Sequence, residues 1–285
     1  MTHLYRTSAA RKLLERIEDL RVFPPAAGRV LFVAQNPASS LRDMEDAVGT
    51  DPVLAAKVVE LSNSAMYGRE HRVDTLARAI QVLGFDTTRD TAIALALSVI
   101  GQQADARWAH LWQHATRSAG AARQLAPFVS PAIGRSAFLC SLLHDIGRQL
   151  MAVIDSDGLE RVVAEEQGGH PDVAAVERAV FGIDHASLSA ACLELWNFRD
   201  DLVDVVAKHH EPLGQLVDPD ERQRVALLQL ADALALGVAA SDQVEGVLVY
   251  AFHEPARRVL GLAHDDLLGI AARMLGDEER DQAAA

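Results

Sequence analysis

Apolar residues recur along this chain at three- or four-residue spacing, the pattern of helices that bury one face. The segment that opens at Asp51-Pro52 is typical, since an aspartate that can cap a helix and a proline at the first helical position precede apolar residues at positions 53, 54, 58, 59 and 61. No window shows the alternation of apolar and polar residues that a half-buried strand needs. The pattern predicts an all-α fold.

Start and stop signals divide the chain into successive helices. An amphipathic helix is predicted over Ser8–Leu20, before the break at Phe23-Pro24-Pro25. Two short helices follow, split at Asn36-Pro37, and Ser39 or Ser40 is predicted to cap the second of them. The helix that opens at Asp51-Pro52 is predicted to end in a polar turn at Asn63–Gly68. The last ten residues, 276–285, are predicted to be a frayed tail. The other main helices are predicted over Asp86–Ile100, Trp108–Pro127, Asp172–Phe181, His185–Trp196, Asp200–His210 and Pro219–Ala240.

These breaks suggest two packed helical subdomains with an extension at each end. The predicted boundaries are 1–21 for an N-terminal helix or leader, 22–105 for the first subdomain, 106–240 for the second, a helical bundle, and 241–285 for C-terminal helices and a tail.

The composition of the chain narrows the classes of function and the cellular compartment that it fits. The 285 residues are 49% hydrophobic and carry a formal net charge of −13, which argues against general nucleic-acid binding. An anionic small ligand stays possible, because a metal ion or a few arginines can reverse the local sign. Cys140 and Cys192 lie in apolar stretches, as expected for core residues in a reducing compartment. The N-terminus lacks the apolar core of a signal peptide and the longest apolar run, Ala92–Ile100, is too short to span a membrane, so we expect a cytoplasmic protein.

The candidate chemistry starts from His144-Asp145 in the apolar stretch SAFLCSLLHDIGRQL. Burying these two side chains among Leu and Ile residues is costly without a partner, and a cation is the natural one. Asp232, within LQLADALAL, has the same need. The remaining metal-capable side chains at helical positions are His114, His185, His209 and His210.

Each of these residues also has a simpler interpretation. His144-Asp145 near a helix end could cap a carbonyl or face water, and His185 could bond a neighbouring carboxylate. His209-His210 near a helix end suits the helix dipole without any metal. Their joint occurrence favours imidazoles and carboxylates on separate helices that hold one or two divalent ions.

The order His, His-Asp, Asp on successive helices resembles the HD superfamily of metal-dependent phosphohydrolases. By that resemblance His114, His144, Asp145 and Asp232 match the basic metal set. His185, His209 and His210 look like the additional ligands of two-metal members such as the HD-GYP phosphodiesterases. The glycine-tyrosine-proline signature of those enzymes is absent after His209-His210, and Arg148 stands where many catalytic members carry lysine.

The sequence is more similar to the HDOD family, over about Leu20 to Ala240. The shared features are the proline pair, Asp51-Pro52, Asn63-Ser64, Leu83-Gly84, LLHDIGR (142–148), FGIDHASLSA (181–190), Trp196 and HHEP (209–212). This resemblance implies a bacterial signalling module that binds a protein partner or a nucleotide-like small ligand, with a metal site that is structural or vestigial.

Two other functions fit the same residues. The first is a metal-dependent phosphohydrolase or cyclic-nucleotide phosphodiesterase, with Asp145 and Arg148 as candidate catalytic residues and Arg117 as a weaker candidate phosphate contact that is more simply a surface ion pair. The second is a nucleotide sensor that binds its ligand without cleaving it. The ion could be iron, manganese, magnesium, nickel or zinc, and neither its number nor the oligomeric state follows from the sequence.

Overall fold

A computed structural model describes residues 8–19, 24–36, 38–63, 73–251 and 254–284. Every regular element in these ranges is helical, as the apolar spacing predicted. The predicted turn beyond Asn63 and the residues Phe23 and Pro37 lie outside them. The α-helices are α1 Ser8–Asp19, α2 Pro25–Gln35, α3 Leu41–Gly49, α4 Pro52–Ser62, α5 Leu76–Leu83, α6 Phe85–Gln103, α7 Ala109–Leu125, α8 Pro131–Leu143, α9 Ile146–Ile154, α10 Ser156–Gln167, α11 Val173–Phe181, α12 His185–Leu195, α13 Asp200–Ala207, α14 Pro219–Ala240, α15 Val244–Ala251, α16 Glu254–Leu260 and α17 His264–Ala284.

Local sequence explains many of the helix starts. Asp51 accepts hydrogen bonds from the backbone N–H groups of Val53 and Leu54, and Pro52 occupies the first position of α4. Ser40, one of two predicted caps, forms a reciprocal capping box with Asp43 at the start of α3. Helix α13 ends at Ala207, three residues before the predicted end, so that His209 and His210 lie in a turn.

The first helical unit comprises α2–α6. Helix α2 packs against α3 and α6, and α5 packs against α3 and α4, around fully buried side chains such as Val30, Met44 and Ile80. Helix α6 also contacts α7, α8 and α9 and joins this unit to the rest of the chain. The apolar residues of both units form one continuous core.

The second unit is built on α7, α8 and α14, which pack against one another. Helix α12 packs against α9 and α13, and α13 reaches α8 and α14. The buried Leu142, Leu143 and Ile146 surround the chain where α8 ends. The ends of α8, α12 and α13 therefore meet beside the middles of α7 and α14.

The prediction that residues 276–285 form a frayed tail was wrong for those of them that the structure describes. Helix α17 continues to Ala284, and its Glu278 accepts two hydrogen bonds from Arg117 on α7, at 2.6 and 3.1 Å. The apolar side of the same helix buries Leu267, Ile270 and Ala271. This contact, which links residues far apart in sequence, extends the helix beyond the point suggested by its polar composition.

Two helical stretches, Pro131–Ile154 and Pro219–Ala240, are long and apolar enough to cross a membrane by length and composition. The prediction that no stretch reaches this length was therefore wrong, because polar residues such as His144-Asp145 and Asp232 interrupt the two stretches without ending their apolar character. Of their most apolar windows, 72% and 56% are buried inside the structure, as in core helices.

Candidate metal centre

Seven side chains from five segments converge at the junction of these helices. His114 lies on α7, His185 is the first residue of α12, and Asp232 lies within α14. Between α8 and α9 come His144 and Asp145, while His209 and His210 follow α13. These are the seven residues predicted from the sequence as a metal-binding set.

His144 and Asp145 mark a break between two helices instead of a position within one. His144 caps the C-terminus of α8, and Asp145 adopts φ −104° and ψ 17° before α9 begins at Ile146. Gly147 permits the close packing that follows, since a Cβ at this position would lie 2.3 Å from the carbonyl oxygen of His185. The chain therefore turns sharply here and brings Asp145 against the start of α12.

The ligating atoms form two groups with Asp145 between them. In the first group, Nε2 of His114 lies 3.0 Å from Oδ1 of Asp232, and Nε2 of His144 lies 3.7 Å from the same oxygen. The second group consists of His185, His209 and His210, whose nearest ligand atoms all lie within 4.8 Å of one another. The two oxygens of Asp145 face different groups.

Oδ2 of Asp145 lies 3.5 Å from Nε2 of His144, on the side of the first group. Oδ1 lies 3.4 Å from Nε2 of His185 and 3.6 Å from Nε2 of His209, on the side of the second. This placement suits a carboxylate that bridges two ions.

Three of the imidazoles are oriented by hydrogen bonds on their outer nitrogen. Nδ1 of His144 donates to the carbonyl oxygen of Ser141, and Nδ1 of His209 donates to that of Val206, each over 2.7 Å. Nδ1 of His185 donates to the carboxylate of Glu177, also over 2.7 Å. Because a neutral imidazole carries one proton, these bonds leave the Nε2 lone pairs free to face the centre.

The donor set fits divalent metal ions. Oδ1 of Asp145 and Nε2 of His209 are buried and have no hydrogen-bond partner among the residues that the structure describes, which is costly unless a cation binds them. Nε2 of His185 and Nε2 of His210 lie 2.8 Å apart. With the outer proton of His185 committed to Glu177, the Nε2 lone pair of His185 accepts a hydrogen bond from Nε2 of His210 at this distance.

Electrostatics favour positive charge at this position. Burial disfavours the charged form of His144, but Asp145 and Asp232 outweigh it and raise the pKa of His144 to about 9. A metal ion that binds here would take the place of the proton on Nε2. Burial alone would raise the pKa of Asp232, yet the neighbouring imidazoles of His114 and His144 hold that pKa well below its usual range. Burial and the neighbouring His209 and His185 lower the pKa of His210 to about 3. The carboxylates thus attract a cation, while His210 stays a neutral donor.

The centre opens towards one side. His144 is 1% exposed, His209 and His185 are nearly as buried, and Asp232 retains 26% exposure of its side chain. His210 is exposed as a whole residue, while its imidazole packs against the ring of His209, with ring centroids 3.9 Å apart. A small molecule could therefore approach from the side of Asp232 and His210.

The arginines considered as phosphate contacts are both paired with carboxylates. Arg148 bonds Glu166 at 2.8 Å and Glu177 at 3.3 Å, behind the centre. Arg117 pairs with Glu278, which is the ion pair that the sequence favoured for it.

Glu177 is the residue at this centre that sequence reasoning missed. Its carboxylate is fully buried and accepts from both Nδ1 and the backbone N–H of His185. A glutamate on a helix with apolar neighbours, shortly before a candidate ligand histidine, is the signal that was available in AAVERAVFGIDH.

Comparison with known proteins shows which family the chain resembles. A model of the HDOD domain matches residues 20–212. An uncharacterized protein of Treponema pallidum (strain Nichols) is 22% identical over 205 residues, which are 72% of this chain and 40% of that protein. The chain thus spans less than half the length of this curated relative.

Solved structures share the fold. An HDOD domain protein of unknown function from Geobacter sulfurreducens aligns with a TM-score of 0.76 at 21% identity, over 97% of this chain and 96% of its own. A candidate phosphohydrolase from Shewanella amazonensis SB2B gives 0.72 at 24% identity, over 95% and 94%. A candidate signal transduction protein from Marinobacter aquaeolei VT8 gives 0.73 at 24% identity, over 100% of this chain and 66% of its own.

Proposed function

This chain belongs to the HDOD domain family, and on that premise we propose that it is a signalling module that binds a protein partner or a small ligand and retains a metal centre of the HD type. The observation that carries the proposal is the convergence of seven metal-capable side chains. Two of their buried atoms, Oδ1 of Asp145 and Nε2 of His209, have no hydrogen-bond partner in the described part of the chain. The unpaired, buried Cys140 and Cys192 suit a cytoplasmic location, which is part of the proposal.

Two divalent ions would complete the centre. His114, His144 and Asp232 would hold one ion, and His185, His209 and His210 the other, with Asp145 shared between them. Bound divalent ions supply Lewis acidity and lower the pKa of a coordinated water. The protein's own contribution is orientation, because Ser141, Val206 and Glu177 fix the imidazole rings from outside.

The surroundings of the centre favour binding over hydrolysis. Phosphoryl chemistry needs positive side chains that can stabilise the developing charge. Arg148 and Arg117 are each already engaged by carboxylates. A binding module needs no such group, and a structure named as a signal transduction protein has the same fold.

A metal-dependent phosphohydrolase or phosphodiesterase is the second candidate. The completeness of the ligand set and the opening beside Asp232 and His210 favour it, as does the shared fold of a candidate phosphohydrolase. In that case Asp145, or a histidine not bound to metal, would handle the proton, and Arg148 would act through the charge it places behind Asp145.

One experiment separates the two functions. Metal content is measured on protein purified without a chelating tag, and turnover is assayed on a panel of phosphodiesters and nucleotides. We expect about two divalent ions per chain and no turnover. Metal-dependent turnover that Asp145→Ala abolishes would favour the phosphohydrolase over the binding module. Protein that binds no divalent ion would contradict the proposal that the metal centre is retained.

A further inference from the structure

A cavity that is separate from the metal centre lies where the two helical units meet. It has a volume of about 250 Å³ and is bounded by α2 and α6 on one side and by α8, α13 and α14 on the other. Its lining brings together residues as distant in sequence as Leu31 and Arg224. The cavity therefore exists only when the two units are packed.

Positive side chains outnumber negative ones in this cavity, although the whole chain carries a net charge of −13. Four arginines line it against two aspartates, and Asp90, buried behind Arg89, brings the carboxylates to three. These arginines are Arg89, Arg135, Arg199 and Arg224. The local excess of positive charge is opposite to that of the whole molecule and attracts anions.

Two of the guanidinium groups form a fixed floor. Arg224 is 15% exposed, and its Nη1 donates to Oγ of Ser136 at 3.0 Å and lies 3.3 Å from Asp201. Arg89 is 14% exposed and is held by Asp86, by Asp90 and by the carbonyl oxygen of Arg135. Guanidiniums oriented in advance lose little freedom when an anion binds. Arg224 uses only Nη1 in its contacts with the described residues, whereas Arg148 and Arg117 each use both Nε and Nη2.

The two arginines at the rim of the cavity are exposed to solvent. Arg135 is exposed, and its side chain has no hydrogen-bond or ion-pair partner among the described residues. Arg199 is 71% exposed and bonds Asp201 through both Nε and Nη2. Arg135 is thus a guanidinium at the mouth whose donors can reach an incoming anion.

Apolar side chains complete the walls. Leu31, Leu139, Phe198 and Leu202 line the cavity and are otherwise buried. Such a site suits a ligand with an apolar or flat portion beside its negative group.

We propose that this inter-unit cavity is a binding site for a small phosphate-bearing molecule, with Arg224 and Arg135 contacting the phosphate. Arginine is suited to this role because its planar fork of N–H donors matches two phosphate oxygens at once. A nucleoside monophosphate fits the combination of charged floor and apolar wall.

Three segments of the chain carry residues of both the cavity and the metal centre. Ser136, Asp201 and Arg224 each precede a metal-centre residue by eight positions, namely His144, His209 and Asp232. Along α14 this separation corresponds to about 12 Å. The two sites are therefore distinct, yet α8, α13 and α14 each run from one to the other.

Calorimetric titration of the full chain with adenosine 5′-monophosphate, inorganic pyrophosphate and adenosine tests the proposal. We expect saturable one-to-one binding of both phosphate-bearing probes and weaker binding of adenosine. Arg135→Gln and Arg224→Gln should each raise the Kd about tenfold, as expected for the loss of a charge-assisted hydrogen bond. Arg135→Gln should leave stability unchanged, because that guanidinium has no partner to lose.

Two controls make the result specific. Arg161→Gln removes an exposed arginine far from the cavity, 64% exposed and 3.9 Å from Asp155, and should not change the Kd. Asp232→Asn, which weakens the metal centre, should leave binding of the probes intact. The proposal is overturned if neither phosphate-bearing probe binds, if adenosine binds equally well, if the two arginine variants bind normally, or if Asp232→Asn abolishes binding.

Discussion

At the scale of single residues, the carboxylate of Glu177 links the metal centre to the charge behind it. It accepts from His185 through the ring and the backbone, and it pairs with Arg148 at 3.3 Å. Burial would raise the pKa of Glu177, but the hydrogen bonds from His185 and the nearby Arg148 together outweigh burial and lower it, so the group is a permanent acceptor. An ionised acceptor fixes the tautomer of His185 that leaves Nε2 free.

Replacing Glu177 by Gln should therefore weaken metal binding without removing a ligand. The amide is a weaker acceptor, and loss of such an outer partner lowers metal affinity by roughly 10- to 100-fold. Competition with a chromophoric chelator measures the change. Glu254→Gln, which disturbs the pairs of Glu254 with Arg257 and Arg258 far from the centre, is the matched control and should bind metal normally. Equal affinities for all three proteins would contradict the role of Glu177.

A second residue, Asp90, makes stability depend on pH. Burial raises its pKa to about 6 from an ordinary value of 3.8, although the adjacent Arg89 acts in the opposite direction. Because the folded protein holds this proton more tightly than the unfolded chain, the stabilising contribution is full below the ordinary pKa. It is lost as pH rises through about 6.

Asp90→Asn should remove this dependence. Between about pH 4.5 and about pH 7.5, the free energy of unfolding of the original protein should fall by about 2 kcal/mol relative to that of the variant. Urea unfolding of both proteins across that range measures the difference. A difference that stays constant with pH would mean that Asp90 titrates normally in the folded protein.

At the scale of helices, the centre depends on how closely α9 and α12 approach. Gly147 lies in the first turn of α9, where its N–H donates to Oγ of Ser189 at 2.9 Å. A side chain here would meet the backbone of His185, which cannot move independently of the centre. The glycine is therefore required by packing at a site where its conformation is ordinary.

Gly147→Ala should separate α9 from α12. We expect a loss of about 1–3 kcal/mol in the free energy of unfolding, together with reduced metal content, because the clash is with backbone. Gly120→Ala provides the matched control, since Gly120 lies within α7 and a Cβ there would meet no atom within 4 Å. That variant should gain up to about 1 kcal/mol from helix propensity. If the two alanines have the same effect, close packing at Gly147 is not the reason for the glycine.

At the scale of the whole molecule, bound metal should stabilise the fold. The ligands come from α7, α12, α14 and two connecting turns, so the unfolded chain has no comparable site. At a free metal concentration 100 times the Kd, one ion adds about 2.7 kcal/mol to the free energy of unfolding.

Removal of metal by a chelator should therefore lower the midpoint of urea unfolding, and addition of manganese or zinc should restore it. Asp145→Asn should abolish most of this response, because Asp145 faces both groups of ligands, while Asp232→Asn should abolish about half. An identical midpoint with and without metal would show that the seven side chains form a polar network that holds no ion.

The sequence by itself determined the helical architecture and many caps, because those features rest on local spacing. It also indicated the seven members of the candidate centre, through the cost of burying charge and through the resemblance of their order to the HD superfamily. Local pattern also placed Ser40 and Asp51 at helix starts, where both cap.

Only the tertiary structure decided which atoms meet. Glu177, the role of Gly147, the extension of α17 by Glu278 and Arg117, and the arginine-lined cavity depend on contacts between segments distant in sequence. The physical reason is range: helix formation and capping act over a few residues, whereas hydrogen bonds and ion pairs act between whatever residues packing brings within about 3 Å.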